Sequence, residues 1–405
     1  MAIVPITRGM RRDLLAPAAA AIAGALLLAW LGLATKEFND YESEAEAAVR
    51  ALRDGDAGGF LSLSPAYAGS LILRAPFALA PGLWGGGDLA AYRALAVPGL
   101  AALVALALVL WSHARRAGAR PAAAWLALGL CAANPFALTA LEFGHAEELL
   151  GATLCVGAAL AAAAERPALA GLLIGAAVAN KPWAVVAVGP VIVLLSAGRL
   201  RALGVAALTA AAIIAPIVLH GGGALAQATA VAQSTGTIFK PWQAWWFLGE
   251  REWIARLTHP LLVAVAFAAS LAWATLRTPG RRSDGLLLLA FVLLLRCLLD
   301  TWNTTYYELP FVLALLAWEV DARRGAPLLT LTVTALAWIS FERVPAVASP
   351  DVQALAYLSW SVPLALALGL RLFAPERFER IAAPMRAALL ARLPTLARRR
   401  DQPTT

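Results

Sequence analysis

Apolar stretches long enough to cross a lipid bilayer recur along almost all of this 405-residue chain. Hydrophobic residues make up 61% of it and charged residues 14%, far from the usage of water-soluble domains. A helix of about 20 apolar residues crosses the hydrocarbon core of a membrane. The alternating segments of about ten residues that build a transmembrane β-barrel are missing from the sequence. The sequence therefore predicts an all-α, polytopic bundle of transmembrane helices.

Glycine, proline and arginine divide the apolar stretches into about twelve predicted spans. Their approximate ranges are 14–34, 90–112, 121–140, 147–164, 168–180, 182–197, 201–219, 260–277, 285–300, 305–319, 327–341 and 353–374. The pair 168–180 and 182–197 is short, which is tolerated where a segment is buried in protein or lines a cavity. Small residues at 32–34 also allow the first span to be a cleaved signal peptide, but its length favours a retained helix.

The distribution of arginine predicts the orientation of these spans. If the N-terminus is cytoplasmic, 22 of the 33 basic residues fall on the cytoplasmic side, as the positive-inside rule requires. They are Arg8, Arg11, Arg12, Arg115, Arg116, Arg120, Arg166, Arg199, Arg201, Arg277, Arg281, Arg282, Arg323, Arg324 and the eight arginines from Arg371 to Arg400. We therefore predict a multi-pass cell-membrane protein with both termini in the cytoplasm. Residues 1–375 form the bundle and 376–405 an arginine-rich tail, and the dispersal of the arginines argues against a nucleic-acid-binding face.

This orientation places two long loops, 35–89 and 220–259, outside the cytoplasm. Long loops commonly carry function, so recognition or chemistry is expected on this side. The first loop opens with an acidic, alanine-rich pattern typical of an interfacial helix and continues with apolar residues broken by prolines, which predicts short helices on the outer leaflet. Asp40 follows the first span closely and would lie at the mouth of any cavity in the bundle.

Charge is concentrated in one apolar region, where Glu142, His145, Glu147 and Glu148 lie within seven positions. Glu147 and Glu148 are typical first-turn carboxylates of a helix. His145 is three residues from both Glu142 and Glu148, so it would share a helical face with either of them. Contacts to substrate or to structural partners are favoured over a metal site, because nothing fixes a ligand count. We predict neither a metal nor a cofactor.

Cations are the second scarce group on the outer side, where all three lysines map. Lys181 interrupts an apolar pair of segments, and ionisable groups at membrane depth are expensive and usually functional, although a lysine also snorkels to the interface. Lys240 and Arg251 flank the tryptophans of the second loop, which suit either an aromatic belt or a sugar and phosphate site. Arg296 lies about one helical turn from Asp300, as in an internal ion pair.

Two sequence blocks, "NPFALTALEFGHAEELLGATL" and "AGLLIGAAVANKPWAVVAVGP", follow a large first outer loop with an aspartate just after the first span. This arrangement resembles the polytopic GT-C-type glycosyltransferases, and among them glycosyltransferase family 87, the actinobacterial polyprenol-phosphate-mannose-dependent mannosyltransferase-like group. The resemblance implies a polyprenyl-phosphate sugar donor and an envelope glycan or glycolipid acceptor, with metal-independent, inverting transfer on the extracytoplasmic face. Asp40 matches the family's base, and Gly144, His145 and Lys181 match its central block. A departure is "SPAYAGSLILRAPF", where such enzymes often have a Tyr/Pro-rich stretch.

The chemistry assigns a role to each candidate residue. Asp40 is the predicted general base for the acceptor hydroxyl. Fixed cations would stabilise the departing lipid phosphate. The predicted substrate and donor-phosphate residues are Lys181, His145, Glu142, Lys240, Arg251 and Arg296. Two other functions fit a multi-span chain: a transporter or flippase of a lipid-linked or polar substrate, which predicts inverted repeats and polar groups at mid-bilayer, and a non-catalytic scaffold.

Overall fold

The computed structural model describes residues 14–65, 68–220, 238–276, 284–322 and 325–392, and within these ranges every regular element is helical. The all-α prediction is therefore confirmed. Several predicted features lie outside the described residues: the arginines at 8–12, 277–282 and 323–324, residues 221–237 of the predicted outer loop 220–259, and the end of the tail.

The first half of the described chain contains thirteen α-helices up to His220. They are α1 (Leu15–Gly32), α2 (Asp40–Glu44), α3 (Glu46–Arg53), α4 (Ala57–Leu63), α5 (Ala68–Leu79), α6 (Asp88–Leu95), α7 (Val97–Arg116), α8 (Pro121–Ala132), α9 (Pro135–Glu142), α10 (Ala146–Ala163), α11 (Pro167–Asn180), α12 (Val188–Leu194) and α13 (Arg199–His220). Short 3₁₀ segments at Ala80–Trp84 and Pro182–Ala187 follow α5 and α11.

The second half continues the bundle and ends in the predicted tail. Its helices are α14 (Glu252–Leu276), α15 (Asp284–Leu299), α16 (Glu308–Ala322), α17 (Leu328–Trp338), α18 (Pro350–Phe373) and α19 (Pro375–Arg392). A 3₁₀ turn at Thr305–Tyr307 joins α15 to α16, and a π-helical turn at Ile339–Arg343 extends α17.

Seven helical segments in the described ranges are long and apolar enough to cross a membrane. They are Leu15–Gly32, Asp88–Arg116, Pro121–Glu142, Ala146–Ala163, Arg199–His220, Glu252–Leu276 and Pro350–Phe373. These segments make the chain a membrane protein. Each of the other five predicted spans also coincides with helix, but the segments are shorter, so crossings beyond seven stay a prediction.

Two of the membrane-length segments are broken where proline interrupts helical hydrogen bonding. Pro98 occupies the first turn of α7, so α6 ends at Leu95 and α7 begins again at Val97. Asn134 caps α9 by accepting a hydrogen bond from the Phe136 amide at 2.9 Å, with Pro135 as the first helical residue. After α9 ends at Glu142, a short turn of residues 143–145 leads to the start of α10 at Ala146.

The centre of the bundle is formed by α10, α15 and α16. Nearly every residue of α15 and α16 is buried, including the large side chains Phe311 and Trp318. These helices have only 16 and 15 residues. Such lengths are tolerated because protein, rather than lipid, surrounds them.

The helix pair α11 and α13 packs through a small-residue motif. Gly171 and Gly175 lie four residues apart on α11, and a Cβ on either would collide with the backbone of Ala202 or Ala206 on α13. Most of α13 is otherwise exposed, with large apolar side chains such as Leu200, Leu208 and Leu219 on its surface. The two glycines therefore provide the close approach that attaches this exposed, apolar helix to the bundle.

Replacing Gly175 by valine should push α13 away from α11 and destabilise the protein by about 1–3 kcal/mol, because the backbone of Ala206 cannot retreat. Thermal unfolding in detergent, followed by tryptophan fluorescence, measures the effect. Gly204→Val is the matched control, since no atom lies within 4 Å of its added Cβ. Equal melting temperatures for the two variants would contradict this packing.

Candidate functional site

The site is built where the segment 35–89 meets the turn between α9 and α10. The amide of Asp40, the first residue of α2, donates to the carbonyl of Phe143 at 3.1 Å. Gly144 has a φ of 85°, and a Cβ there would lie 2.7 Å from the Tyr41 nitrogen. Glycine fits this turn because it accepts the left-handed conformation and leaves room for the neighbouring backbone. The turn thus holds Asp40 next to His145.

His145 lies between two carboxylates. Its Nε2 is 2.8 Å from Asp40 Oδ2, and its Nδ1 is 2.8 Å from Glu147 Oε1. The ring also packs against Tyr306, with centroids 4.9 Å apart. The Asp40 side chain is 48% exposed, whereas those of His145 and Glu147 are 6% and 1% exposed. Asp40 is therefore the solvent-facing end of a chain of contacts that leads into the bundle.

Two buried carboxylates at the start of α10 connect His145 to further cations. Glu147 receives Lys181 Nζ on Oε1 at 3.2 Å and Arg74 Nη2 on Oε2 at 3.1 Å. Glu148 Oε1 lies 3.3 Å from the same Lys181, and its Oε2 accepts the Trp183 indole N–H at 3.0 Å. Buried carboxylates are tolerated only with such partners, and the N-terminus of α10 adds a favourable dipole.

Local sequence explains the position of Lys181. It follows the last residue of α11 and precedes Pro182, which disfavours helical backbone at the residue before it, and Lys181 is indeed extended. The preceding Asn180 donates from Nδ2 to the carbonyl of Glu147 at 2.9 Å. Gly151 provides space for this approach, since a Cβ there would lie 3.0 Å from Asn180 Nδ2. The break between α11 and the 3₁₀ segment Pro182–Ala187 thus places Lys181 next to the start of α10.

Arg296 lies behind this cluster, buried between two aromatic rings. Its Cζ is 4.6 Å from the centroid of the Trp183 ring and 4.2 Å from that of Tyr307. Its Nη1 donates to the Tyr307 carbonyl at 3.3 Å, and its Nε has no hydrogen-bond partner among the described residues. Within the described chain Arg296 forms no ion pair with Asp300. The guanidinium instead makes cation–π contacts and presents an unused buried donor.

The contacts of His145 set its protonation. Burial and the charge of Lys181 oppose protonation, but hydrogen bonds to Asp40 and Glu147 outweigh them and raise the pKa of His145 to about 9. The hydrogen bond from His145 lowers the pKa of Asp40 below its usual value despite partial burial. Near neutral pH the site therefore contains an imidazolium beside an ionised Asp40. The cluster pairs three basic side chains, His145, Lys181 and Arg74, with three carboxyl groups. These belong to Asp40, Glu147 and Glu148.

The site residues predicted from the sequence fall into two groups. Asp40, His145 and Lys181 lie together, and Arg296 adjoins them through Trp183. Glu142, Lys240 and Arg251 are exposed, and in the described ranges their side chains have no hydrogen bond or ion pair with the cluster.

Two residues of the cluster were not singled out from the sequence: Arg74 and Trp183. Arg74 has the clearer signal in the sequence, because it is the single charged residue in an apolar helix, α5, and lies one turn after Ser70. Its Nη2 is 2.7 Å from the Ser70 hydroxyl.

The tryptophans of the segment 220–259 have structural partners. The indole N–H of Trp245 donates to the Leu299 carbonyl at 2.8 Å, and that of Trp242 donates to the Ser340 carbonyl at 3.1 Å. Trp246 donates to Asp351 at 2.8 Å. The first two hydrogen bonds satisfy backbone carbonyls near helix ends, where intrahelical partners are lacking. The third engages a side-chain carboxylate. These contacts favour a packing role for these rings over the alternative of a sugar site.

Both ring nitrogens of His145 are engaged by carboxylates, and across the described ranges no group of three or more His, Cys, Asp or Glu side chains is arranged to hold a metal. Cys131, Cys155 and Cys297 are buried and unpaired, at positions expected for small apolar filling.

Comparison of the chain with protein-family models, with curated proteins and with solved structures gives no match.

The protein should lose stability as the pH rises through about 9. The raised pKa of His145 means that the folded state holds this proton more tightly than the unfolded chain, whose histidine titrates near 6.5. The gain, on the order of 3 kcal/mol, is complete below pH ~6.5 and lost through pH ~9. Melting temperatures between pH 6 and 10 measure it. His145→Gln should flatten this dependence and the exposed His220→Gln should not; identical slopes would contradict the assigned protonation.

Proposed function

We propose that this chain is a membrane glycosyltransferase. It moves a sugar from a polyprenyl-phosphate donor to a glycan or glycolipid acceptor on the extracytoplasmic face, by inverting, metal-independent transfer with Asp40 as the base. The observation that carries the proposal is a half-exposed carboxylate, Asp40, joined through His145 to a buried cluster of ion pairs that contains Lys181. Sugar transfer of this kind requires a base at the acceptor and fixed cations at the leaving phosphate.

Asp40 is suited to the role of base by its position. One oxygen, Oδ2, is engaged by His145, and the side chain is 48% exposed, which leaves it accessible to an acceptor hydroxyl. In the proposed step the acceptor hydroxyl gives its proton to Asp40 while its oxygen attacks the anomeric carbon of the donor. The bond from that carbon to the phosphate oxygen breaks, and its electron pair leaves with the lipid phosphate.

The cations behind Asp40 supply the charge that the leaving group needs. Lys181 is 14% exposed and is oriented by Glu147 and Glu148. Arg296 contributes the unused Nε donor described above. Preorganised charges in a site shielded from water stabilise developing negative charge more than flexible surface groups do. We assign these two residues to the donor phosphate.

The arrangement of the helices supports an extracytoplasmic site. Because α7 and α10 both lead away from the cluster, Arg115, Arg116 and Arg166 lie at or just beyond the opposite ends of these helices. Basic residues concentrate on the cytoplasmic side of membrane proteins. We therefore propose a multi-pass cell-membrane protein with cytoplasmic termini, whose cluster faces outward.

Asp40→Asn should abolish transfer, with a loss of at least about 100-fold, because the amide cannot accept the hydroxyl proton. The assay uses purified protein in lipid nanodiscs with radiolabelled polyprenyl-phosphate sugars and extracted envelope glycans. Thermal unfolding checks that the variant is folded.

Glu37→Gln is the matched control for this experiment. It removes an exposed carboxylate three residues away, and it should leave transfer unchanged. Full turnover in Asp40→Asn would remove Asp40 from the role of base. Donor movement across the bilayer without transfer to any acceptor would instead favour a flippase.

A further inference from the structure

A second polar site lies in the first outer loop, separate from the cluster around His145. A cavity of about 310 Å³ opens between α3 and the 3₁₀ segment Ala80–Trp84. It is lined by Arg50, Arg53, Asp54, Leu79, Gly82 and Asp88. Small-molecule sites begin at about 300 Å³, so the volume suits a ligand of one or two small rings.

The polar walls of the cavity are held in place by ion pairs. Asp88 joins both arginines: Arg50 Nη2 lies 2.9 Å from Oδ2, and Arg53 Nη1 lies 2.6 Å from Oδ1. Arg53 Nη2 also donates to the Gly86 carbonyl at 2.6 Å, and Arg50 reaches Glu46 at 3.0 Å. These contacts fix the guanidinium groups, and each still has N–H donors to spare because the group carries five.

The mixture of charges indicates which ligand fits. Asp54 and Asp88 provide acceptors on the same walls as the arginine donors, so the lining has no excess of positive charge. An anionic phosphate would meet two carboxylates, which repel it. A sugar hydroxyl both donates and accepts hydrogen bonds, and it is satisfied by such a mixed lining. Leu79 and Gly82 add an apolar surface for the ring face of a saccharide.

Helix α6 connects this cavity to the candidate site. Asp88 is its first residue, and Tyr92 follows one helical turn later, about 6 Å along the axis. The Tyr92 hydroxyl accepts a hydrogen bond from Asn39 Nδ2 at 3.2 Å, and Asn39 directly precedes Asp40. The cavity and Asp40 therefore lie within a few helical turns of each other on the same loop.

We propose that this cavity binds a saccharide unit of the acceptor, one or more sugars away from the hydroxyl that reacts at Asp40. The inference rests on the proposed glycosyltransferase function and adds to it an acceptor that is longer than one sugar. Exposed apolar side chains beside the cavity, Leu83 at 88% and Trp84 at 67%, would contact the lipid or the rest of a glycolipid acceptor.

The test is a binding measurement that needs no transfer. Full-length protein in nanodiscs is titrated with methyl glycosides of mannose, glucose, galactose and arabinose, and with glycerol 1-phosphate, by saturation-transfer difference NMR. At least one glycoside should bind, and Arg50→Gln and Asp54→Asn should each weaken it about tenfold, equal to ~1.4 kcal/mol. Glu37→Gln should bind it as the unchanged protein does.

The binding results test the saccharide site, and the transfer assay tests the proposed function. Failure of all four glycosides to bind, binding that Arg50→Gln and Asp54→Asn leave intact, or preference for glycerol 1-phosphate would overturn the saccharide site. Loss of transfer activity with intact, Arg50-dependent binding leaves the cavity assignment standing and removes the proposed function. Thermal unfolding of both cavity variants confirms that weaker binding does not reflect unfolding.

Discussion

The structure depends on the compensation of two buried carboxylates, Glu147 and Glu148, at the start of a central helix. A carboxylate deep in an apolar bundle is costly unless cations and hydrogen-bond donors surround it. The partners come from three separate parts of the chain: Arg74 from helix α5, His145 from the preceding turn and Lys181 from an interrupted helix pair. The ion pairs with Glu147 therefore fix the relative positions of these three segments, which non-directional hydrophobic packing does not specify.

The sequence predicted the all-α architecture and three members of the cluster because charge is so scarce in this chain. Asp40, His145 and Lys181 stood out against long apolar stretches, and the structure places them together. Arg74 did not, since a single arginine in an interfacial helix fits snorkelling equally well. Its pairing with Glu147 depends on tertiary contact between residues 73 positions apart, which no local pattern records.

The aromatic second loop shows a different limit of sequence reasoning. Trp242, Trp245 and Trp246 lie close to Lys240 and Arg251 in the chain, a combination that also suits sugar binding. Only the structure shows that their N–H groups are used by carbonyl and carboxylate oxygens of neighbouring helices. The number of membrane spans is hard to predict for a related reason. The sequence of a short apolar helix such as α15 has the same composition whether protein or lipid surrounds the helix.

The pairing of Arg74 with Glu147 also bears on how the chain is made. The ribosome synthesises Arg74 before Glu147, so for that interval Arg74 lacks the carboxylate that it pairs with in the folded protein. An uncompensated guanidinium stays in water or among lipid headgroups rather than entering hydrocarbon. We therefore expect residues 35–89 to dock onto the bundle only after the segment that carries Glu147 has been inserted.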